Sequence, residues 1–273
     1  MRLGYNTNGF ASHRIADAIA ILADIGYQSI ALTLDHNILD PPKRGVAARC
    51  ARLISPLISR YGLAVTIETG ARFILDPLRK HQPTMLSAAP EHRAARLEYL
   101  RAAIDVAALL SAESVSLWSG APDDDAARER LMSRLTQSLG ELLDHAQGSG
   151  VRLSFEPEPG MFIDTMARFD ELHQRVNHPL FGLTLDVGHV HCLGDGDVGT
   201  HVQRYRDILF NVHIEDMRRG VHEHLMFGEG EMDFAAVFAA LRAIDYAGPV
   251  HVELPRHSRD AVETAKRSFD FLQ

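Results

Sequence analysis

The sequence has 273 residues, of which 46% are hydrophobic and 23% charged, and 36 acidic residues outnumber 28 basic ones to give a net charge of −8. This balance is typical of a globular protein, and it disfavours nonspecific attraction to nucleic acid or to an anionic membrane. The absence of any run of eighteen apolar residues excludes a membrane-spanning helix, and two cysteines, Cys50 and Cys192, are too few for a disulfide framework. Because the first residues contain no signal-peptide core, we expect a cytoplasmic protein.

Short β-rich runs alternate with longer helical patterns along the whole chain. Strands are predicted at Leu3–Thr7, Ser29–Asp35, Ala64–Gly70, Ser114–Gly120, Arg152–Glu158, Phe181–His189, Leu209–Asp216 and Pro249–Leu254. Several of these runs are continuous in apolar or β-branched residues, as expected for strands that are covered on both faces. Helices are predicted at Ile15–Ile25, Ala47–Tyr61, Glu91–Leu110, Asp123–Gln147, Met166–Val176, Phe234–Ile244 and Asp260–Leu272.

This alternation predicts the fold. Eight strand–helix repeats at the spacing of βα units indicate a closed (β/α)8 barrel, with residues 1–273 forming one domain. An open doubly wound sheet is the alternative, but it would normally carry a glycine-rich phosphate turn after the first strand, and Tyr5–Phe10 is not such a turn. Three loops, at 8–14, 35–45 and 70–90, are expected to shape the pocket. The last carries Arg72, Arg79 and Lys80, which suggest a phosphate or carboxylate ligand or are simply solvated.

Four polar residues stand at the ends of the last four predicted strands: Glu156, Asp186, His213 and Glu253. Because active sites of such barrels lie at the carboxyl ends of the strands, we expect these side chains at one depth around the same rim. Converging carboxylates repel one another unless protons or a cation compensate them. Three carboxylates and one neutral imidazole suit one divalent ion of Mn, Mg, Co or Zn. The alternative is that some of them cap helices or form ion pairs at the rim.

Histidines are concentrated near this predicted site. The chain has fifteen, and ten of them follow residue 172. His189 comes three residues after Asp186. His222 lies six residues beyond Asp216, and Glu223 separates it from His224. These three histidines could bind a second metal ion or contact an anionic substrate, since neutral imidazole is the commonest metal ligand. The alternative is that they are ordinary loop histidines.

Together, these motifs resemble the xylose isomerase-like TIM-barrel superfamily. The resemblance is carried by Glu156, Asp186-x-x-His189, His213-x-x-Asp216, the turn Gly228-Glu229-Gly230 and Glu253. The superfamily includes sugar and sugar-phosphate isomerases and epimerases, inosose and 3-dehydroshikimate dehydratases, and the endonuclease IV repair nucleases. In architecture the resemblance spans the chain, while the specific motifs all lie between residues 156 and 253.

The resemblance implies roles for individual residues. The four metal ligands would be Glu156, Asp186, His213 and Glu253. The substrate contacts would come from His189, Glu158, Arg218 or Arg219, and the histidines His222 and His224. Two aromatic residues near the mouth, Trp118 and Phe10, could offer apolar faces to a sugar ring.

The leading hypothesis is a divalent-metal-dependent isomerase or epimerase of a small sugar, sugar phosphate or polyol-derived ketone. Glu156 and Glu253 would move a proton through an enediolate, whose charge His189 and Arg218 would stabilise. A dehydratase of the inosose or dehydroshikimate type would use the same enolate chemistry. A noncatalytic binding protein is the alternative of another class.

The nuclease branch of the superfamily is a further alternative, because His222-x-His224 stands where that branch carries an Asp-x-His metal pair. That branch also needs histidines from early strands, and this chain has Glu68-Thr69-Gly70 and Trp118-Ser119-Gly120 at those strand ends. We therefore expect a small carbohydrate-like substrate, with neither nucleic acid nor membrane as a partner. A homodimer is expected only by analogy with the family.

Overall fold

The computed structural model describes residues 1–36, 45–70 and 72–273. Its strands are β1 (Arg2–Asn6), β2 (Ser29–Thr33), β3 (Ala64–Glu68), β4 (Val115–Leu117), β5 (Leu153–Phe155), β6 (Phe181–Asp186), β7 (Leu209–Ile214), β8 (Asp216–Arg218), β9 (Val221–Leu225) and β10 (Pro249–Val252). In the described residues β1 to β7 and β10 form a closed parallel barrel in chain order, with β10 pairing with β1, and β8 and β9 form a separate antiparallel hairpin. The predicted (β/α)8 barrel is therefore confirmed.

Helices surround the barrel and connect its strands. They are α1 (Ile15–Ile25), α2 (Val46–Leu53), α3 (Ser55–Tyr61), α4 (Pro90–Leu110), α5 (Arg128–Gln147), α6 (Met166–Val176), α7 (Val187–Leu193), α8 (Val198–Tyr205), α9 (Phe234–Ala243) and α10 (Ala261–Leu272). The bounds of α1 and α6 are those that the sequence predicts. Helix α1 ends at Gly26, whose φ of 118° lies in the left-handed region that favours glycine. Within the described ranges, no helix is long and apolar enough to cross a membrane.

Most predicted elements extend beyond the observed ones by a few residues, as at Asp123–Gln147, where the helix begins at Arg128, and two differ in kind. The single helix predicted at Ala47–Tyr61 is two helices, because Pro56 lies in the first turn of α3 and cannot donate the backbone hydrogen bond of a continuous helix. The strand predicted at Phe181–His189 ends at Asp186, whose side chain accepts a hydrogen bond from the backbone N–H of His189 and so begins helix α7. His189 therefore lies in the first turn of a helix.

The structure contains elements that the sequence did not predict, and it leaves part of one predicted loop undescribed. Helices α7 and α8 and the β8–β9 hairpin were not predicted, although Asp197 caps α8 in the usual way by accepting from Thr200 N at 2.7 Å. Most of the predicted pocket loop 35–45, together with position 71 of the third loop, lies outside the described residues.

The barrel interior is polar near the site. Hydroxyl groups on neighbouring strands bond to one another, with Ser154 Oγ donating to Ser114 Oγ at 3.0 Å and Thr184 Oγ1 donating to Ser116 Oγ at 3.2 Å. All four side chains are buried. The buried hydrophobic residues of the strands and helices form one connected cluster.

Candidate active site

The structure brings the four predicted metal ligands together at the carboxyl ends of the strands. Glu156 follows β5, Asp186 ends β6, His213 lies in β7 and Glu253 follows β10. Each offers one ligand atom, and these four atoms all lie within 4.8 Å of one another. The strand register explains this. Asp186 of β6 pairs with His213 of β7, and His213 pairs with His251 of β10, two residues before Glu253. Successive parallel strands thus end at one depth.

The imidazole of His213 has acidic groups on both sides. Its Nδ1 lies 3.0 Å from Glu156 Oε1 and 2.8 Å from Glu253 Oε2, and its Nε2 lies 2.9 Å from Glu68 Oε1. Burial works against a charged ring, but Glu156, Glu253 and Glu68 outweigh it and raise the pKa of His213 well above its ordinary value. The site therefore favours a positive charge at Nδ1, supplied by a proton or by a metal ion.

Glu68, the last residue of β3, is a site residue that the sequence reasoning missed. It is 7% exposed and also accepts a long hydrogen bond from Asn211 Nδ2 at 3.4 Å. Asn211 Oδ1 in turn accepts from His251 Nδ1 at 2.8 Å, and His251 Nε2 lies 2.9 Å from Ser29 Oγ. The available signal was a carboxylate at the end of an otherwise apolar strand, but its partner lies across the barrel.

Asn8 is a second residue that the sequence reasoning missed. It follows β1 in a short 3-10 helix at Thr7–Phe10, and its Nδ2 donates to Glu253 Oε1 at 2.7 Å. One oxygen of Glu253 is therefore held by Asn8 while the other faces His213. The carboxylate is fixed from two sides.

The carboxyl groups of the cluster titrate unlike exposed acids. Burial raises the pKa of Glu156 to about 8, and the charges of Glu253 and Asp186 add to the effect. Burial opposes ionisation of Glu253 too, but the charge and hydrogen bond of His213 hold the pKa of Glu253 well below its usual range. In the described part of the chain, no lysine or arginine forms an ion pair with these acids. His213 is therefore the main positive charge that faces these acids.

The three predicted histidines lie beside this cluster. Their ligand atoms are within 4.8 Å of one another. His189 Nε2 lies 3.1 Å from His222 Nε2 and 3.4 Å from Asp186 Oδ2, while its Nδ1 lies 3.2 Å from the Pro157 carbonyl oxygen. Burial lowers the pKa of His189 to about 4, so its ring is neutral near pH 7. His222 and His224 come from β9 of the hairpin.

Asp216 holds that hairpin in place. Its carboxylate accepts hydrogen bonds from four backbone N–H groups, those of Met217, Gly228, Gly230 and Met232, at 2.9–3.1 Å. At position 230 a Cβ atom would lie 2.3 Å from Asp216 Oδ1, which explains the glycine. The motifs His213-x-x-Asp216 and Gly228-Glu229-Gly230 therefore form one structural unit that carries His222 and His224 to the site.

The remaining predicted substrate contacts fall into different places. Glu158 lies in the pocket, 3.7 Å from His189 Nδ1 and 3.9 Å from His222 Nε2. Arg218 is exposed, and its guanidinium donates to the Glu229 carbonyl oxygen at 2.8 Å, away from the contacts of the cluster. The neighbouring Arg219 is also exposed.

The aromatic and cationic residues that were predicted to contact substrate also make separate contacts. Trp118 is 7% exposed and packs against the guanidinium of Arg96 and the edge of His81, while Phe10 is 2% exposed and packs against Tyr5. In these contacts both rings pack against other side chains of the protein. Arg79 forms an ion pair with Asp76 at 2.7 Å. Partial burial and the charges of Arg72 and Arg256 lower the pKa of Lys80, which indicates that these cations lie near one another.

Comparisons with known proteins agree on one family. The family model described as xylose isomerase-like TIM barrel matches residues 19–273. The L-ribulose-5-phosphate 3-epimerase UlaE of Salmonella paratyphi C is 28% identical over 241 residues, covering 87% of this chain and 84% of the relative. Two solved structures share the fold over the full length of this chain and 98% of their own. The 3-keto-D-glucoside 4-epimerase YcjR from E. coli has a TM-score of 0.80 at 17% identity, and an IolI protein with a bound zinc atom has 0.76 at 18% identity.

Proposed function

This chain belongs to the xylose isomerase-like TIM barrel family, and we propose that it is a divalent-metal-dependent epimerase or isomerase of a small ketose or ketose phosphate. The observation that carries the proposal is the convergence of Glu156, Asp186, His213 and Glu253, whose ligand atoms lie within 4.8 Å of one another. The names of the similar proteins, a ketose-phosphate 3-epimerase and a ketoglucoside 4-epimerase, support epimerisation next to a carbonyl group.

The donor set fits a divalent cation. It combines three carboxylates with one imidazole, and the buried Asp186 Oδ2 lacks a hydrogen-bond partner among the described residues. An unpartnered, buried carboxylate oxygen is costly unless a cation or proton satisfies it. When bound, a divalent ion such as Mn²⁺, Mg²⁺, Co²⁺ or Zn²⁺ would polarise the substrate carbonyl and acidify the adjacent C–H bond. The zinc atom of the similar IolI protein supports a metal in this fold.

The chain's own carboxylates would move the proton. Glu156 and Glu253 come from β5 and β10, on different sides of the barrel, and both approach His213 Nδ1. One of them would remove the proton beside the carbonyl group to give an enediolate, and the other would return a proton. Return to the opposite face of the same carbon gives epimerisation, whereas return to the neighbouring carbon gives aldose–ketose isomerisation.

Other pocket residues would bind the substrate. Glu158 and His189 would contact its hydroxyl groups, because both lie beside the proposed metal ligands. Lys80 interacts electrostatically with Arg72, with Arg256 and with Glu158 of the pocket. Such a group of cations suits a phosphate or another anionic group on the substrate.

A second metal ion at His189, His222 and His224 is also proposed as a candidate, because their ligand atoms lie within 4.8 Å of one another. This cluster is the observation that favours a phosphodiesterase as the second candidate function. The ends of two early strands argue against a phosphodiesterase, because the nuclease branch needs histidines there. In this chain β3 ends in Glu68, and Trp118 follows β4.

The test is a substrate panel. The purified protein, stripped with a chelator and reloaded with Mn²⁺, is incubated with ketopentoses, ketohexoses and their terminal phosphates, and products are identified by NMR. We expect a C3 epimer or an aldose from at least one ketose, and loss of that product on chelation. Loss of water from the substrate would instead assign a dehydratase, and cleavage of abasic DNA would assign a nuclease.

A further inference from the structure

A cavity of about 340 Å³ lies at the amino end of the barrel, opposite the candidate active site. Its walls include the first residues of three parallel strands: Arg2 of β1, Leu209 of β7 and Pro249 of β10. The carboxyl ends of the same strands lead to the candidate active site. A cavity of this volume is large enough for a small metabolite, and the proposed function makes no use of this end of the barrel.

The lining of this cavity carries more positive than negative charge. Its cations are Arg2, Arg152 and Arg206, and its acids are Glu113 and Asp245, in a chain whose net charge is −8. Glu113 forms an ion pair with Arg2. Asp245 is exposed and, within the described ranges, forms no ion pair with the three arginines. Arg152 is therefore left without an acidic partner in the described part of the chain.

Arg152 is held in place, but the outer end of its side chain has no partner. Its guanidinium carbon lies 4.5 Å from the centroid of the Phe210 ring, and its Nε donates to the Glu113 carbonyl oxygen at 3.0 Å. Among the described residues, neither Nη1 nor Nη2 has a hydrogen bond or an ion pair. The half-buried side chain thus presents a fixed fork of N–H donors at the wall of the cavity.

Arg2 supplies a second donor without an acceptor. Its Nε is buried and has no hydrogen-bond partner among the described residues, although Nη2 pairs with Glu113. A buried N–H group without an acceptor is costly unless water or a ligand oxygen satisfies it. Arg206 is mostly exposed and makes only a long contact of 3.7 Å with Asp207, so its charge is also available to an anion.

The rest of the wall limits the kind of anion. Tyr246 is 9% exposed, and its hydroxyl group donates to the Pro249 carbonyl oxygen at 3.0 Å, so Tyr246 offers its ring rather than a donor. Leu209 adds a further apolar surface. A carboxylate could pair with the fork of Arg152, but it has only two oxygens for three arginines. A phosphoryl group has three terminal oxygens and pairs with guanidinium groups in the same bidentate way.

We propose that the cavity of Arg2, Arg152 and Arg206 binds a phosphoryl group, either as free phosphate or as the phosphate monoester of a small molecule. Arg152 supplies two parallel N–H donors, and Arg2 Nε and Arg206 meet the remaining oxygens. In a monoester, the carbon part lies against Tyr246 and Leu209. The site is separate from the candidate active site and depends on neither a metal ion nor ketose chemistry.

The test is isothermal titration of the full-length protein with inorganic phosphate and with glycerol 3-phosphate, at low ionic strength so that screening is weak. We expect saturable binding, with Kd raised at least about 10-fold in Arg152→Gln and about 3-fold in Arg206→Gln. The matched control is Arg60→Gln, since Arg60 is an exposed arginine that also lies over an aromatic ring, 5.3 Å from Tyr61. The control should match the wild type.

The two ligands identify the source of the phosphoryl group. Tighter binding of glycerol 3-phosphate supports a monoester that contacts the apolar wall, whereas equal binding supports free phosphate. Wild-type protein that binds neither ligand overturns the site and leaves the proposed function intact.

Phosphate could also bind in the candidate active site, and Lys80→Gln tests this. Binding that is lost in Lys80→Gln and unchanged in Arg152→Gln overturns the proposal. If circular dichroism shows that Arg152→Gln does not fold, Arg152→Lys replaces it, because lysine keeps the charge but lacks the fork. Arg152→Lys should still weaken binding, and a Kd equal to that of the wild type overturns the proposal.

Discussion

Glu68 and His213 are joined by a 2.9 Å hydrogen bond between Oε1 and Nε2, which runs across the barrel from the end of β3 to β7. Both side chains are buried. Because Nε2 is occupied in this bond, the ring presents Nδ1 to Glu156 and Glu253. A carboxylate behind a metal-binding histidine fixes the ring and raises its basicity. Glu68 is thus placed to position His213 without contacting substrate itself.

Replacing Glu68 should weaken metal binding. We expect Glu68→Ala to raise the Kd for Mn²⁺ by about 100-fold and Glu68→Gln by about 10-fold, since glutamine retains an acceptor but loses the charge. Isothermal titration with the stripped protein measures this. The control is Glu98→Gln, on the exposed side of α4, which should match the wild type. Equal affinities for Glu68→Ala and the control would show that the bond does not position His213.

Asn8 should matter for turnover through Glu253, because its Nδ2 holds Glu253 Oε1 at 2.7 Å. Asn8→Ala frees that oxygen, so we expect kcat to fall by about 10-fold with little change in KM. Asn8→Asp puts a second acid against Glu253 and should lower kcat further. Steady-state kinetics on the ketose found active in the panel measure both. A rise in KM at unchanged kcat would assign Asn8 to substrate binding instead.

Asp216 should be important for stability because it accepts four backbone hydrogen bonds in the loop that follows the hairpin. Asp216→Ala leaves four N–H groups without their acceptor, and we expect a loss of about 2–4 kcal/mol in the free energy of unfolding. Urea denaturation followed by circular dichroism measures it. Glu229→Gln, exposed in the same loop, is the control and should change stability by less than about 0.5 kcal/mol. A small loss for Asp216→Ala would show that the hairpin is held by other contacts.

His81 should make stability depend on pH. Burial lowers the pKa of His81 to about 4, although its bond to the Gly70 carbonyl oxygen works in the opposite direction. Between pH 4 and about 6.5, His81 binds a proton in the unfolded chain but not in the folded chain. The contribution of neutral, buried His81 to the free energy of unfolding is therefore fully present above pH 6.5 and is lost as the pH falls through this window. The full loss, reached below pH 4, is about 3 kcal/mol.

The comparison of the wild type with His81→Gln isolates this effect. Denaturation curves at pH 7 and pH 4.5 should show a smaller acid-induced loss in the variant. The ring of His81 lies 5.1 Å from that of Trp118, the single tryptophan, so intrinsic fluorescence reports the local change. Parallel pH profiles for the wild type and His81→Gln would contradict the assignment.

The sequence predicted those parts of the site that depend on strand ends. Glu156, Asp186, His213 and Glu253 were predicted together because parallel strands finish at one edge, and the structure brings them together. Glu68 and Asn8 were not, because each acts on a partner that is far away in the sequence. Which of these strand ends meet depends on barrel closure and register. The exposed position of Arg218 depends on a hairpin that no hydrophobic pattern indicated. His189 was predicted at the end of a strand, because the apolar run of β6 continues into α7 without a visible break.

We propose that this chain uses Glu156 and Glu253 to labilise the C–H bond beside a ketose carbonyl group when a divalent ion is bound. The most direct test of this proposal is solvent deuterium exchange, in which the Mn²⁺-loaded protein and a ketose are incubated in D₂O and followed by proton NMR. The account predicts deuterium at the carbon beside the carbonyl, no exchange after chelation, recovery on adding Mn²⁺, and loss of exchange in Glu156→Gln and Glu253→Gln. Exchange that persists in the stripped protein or in both variants would contradict it.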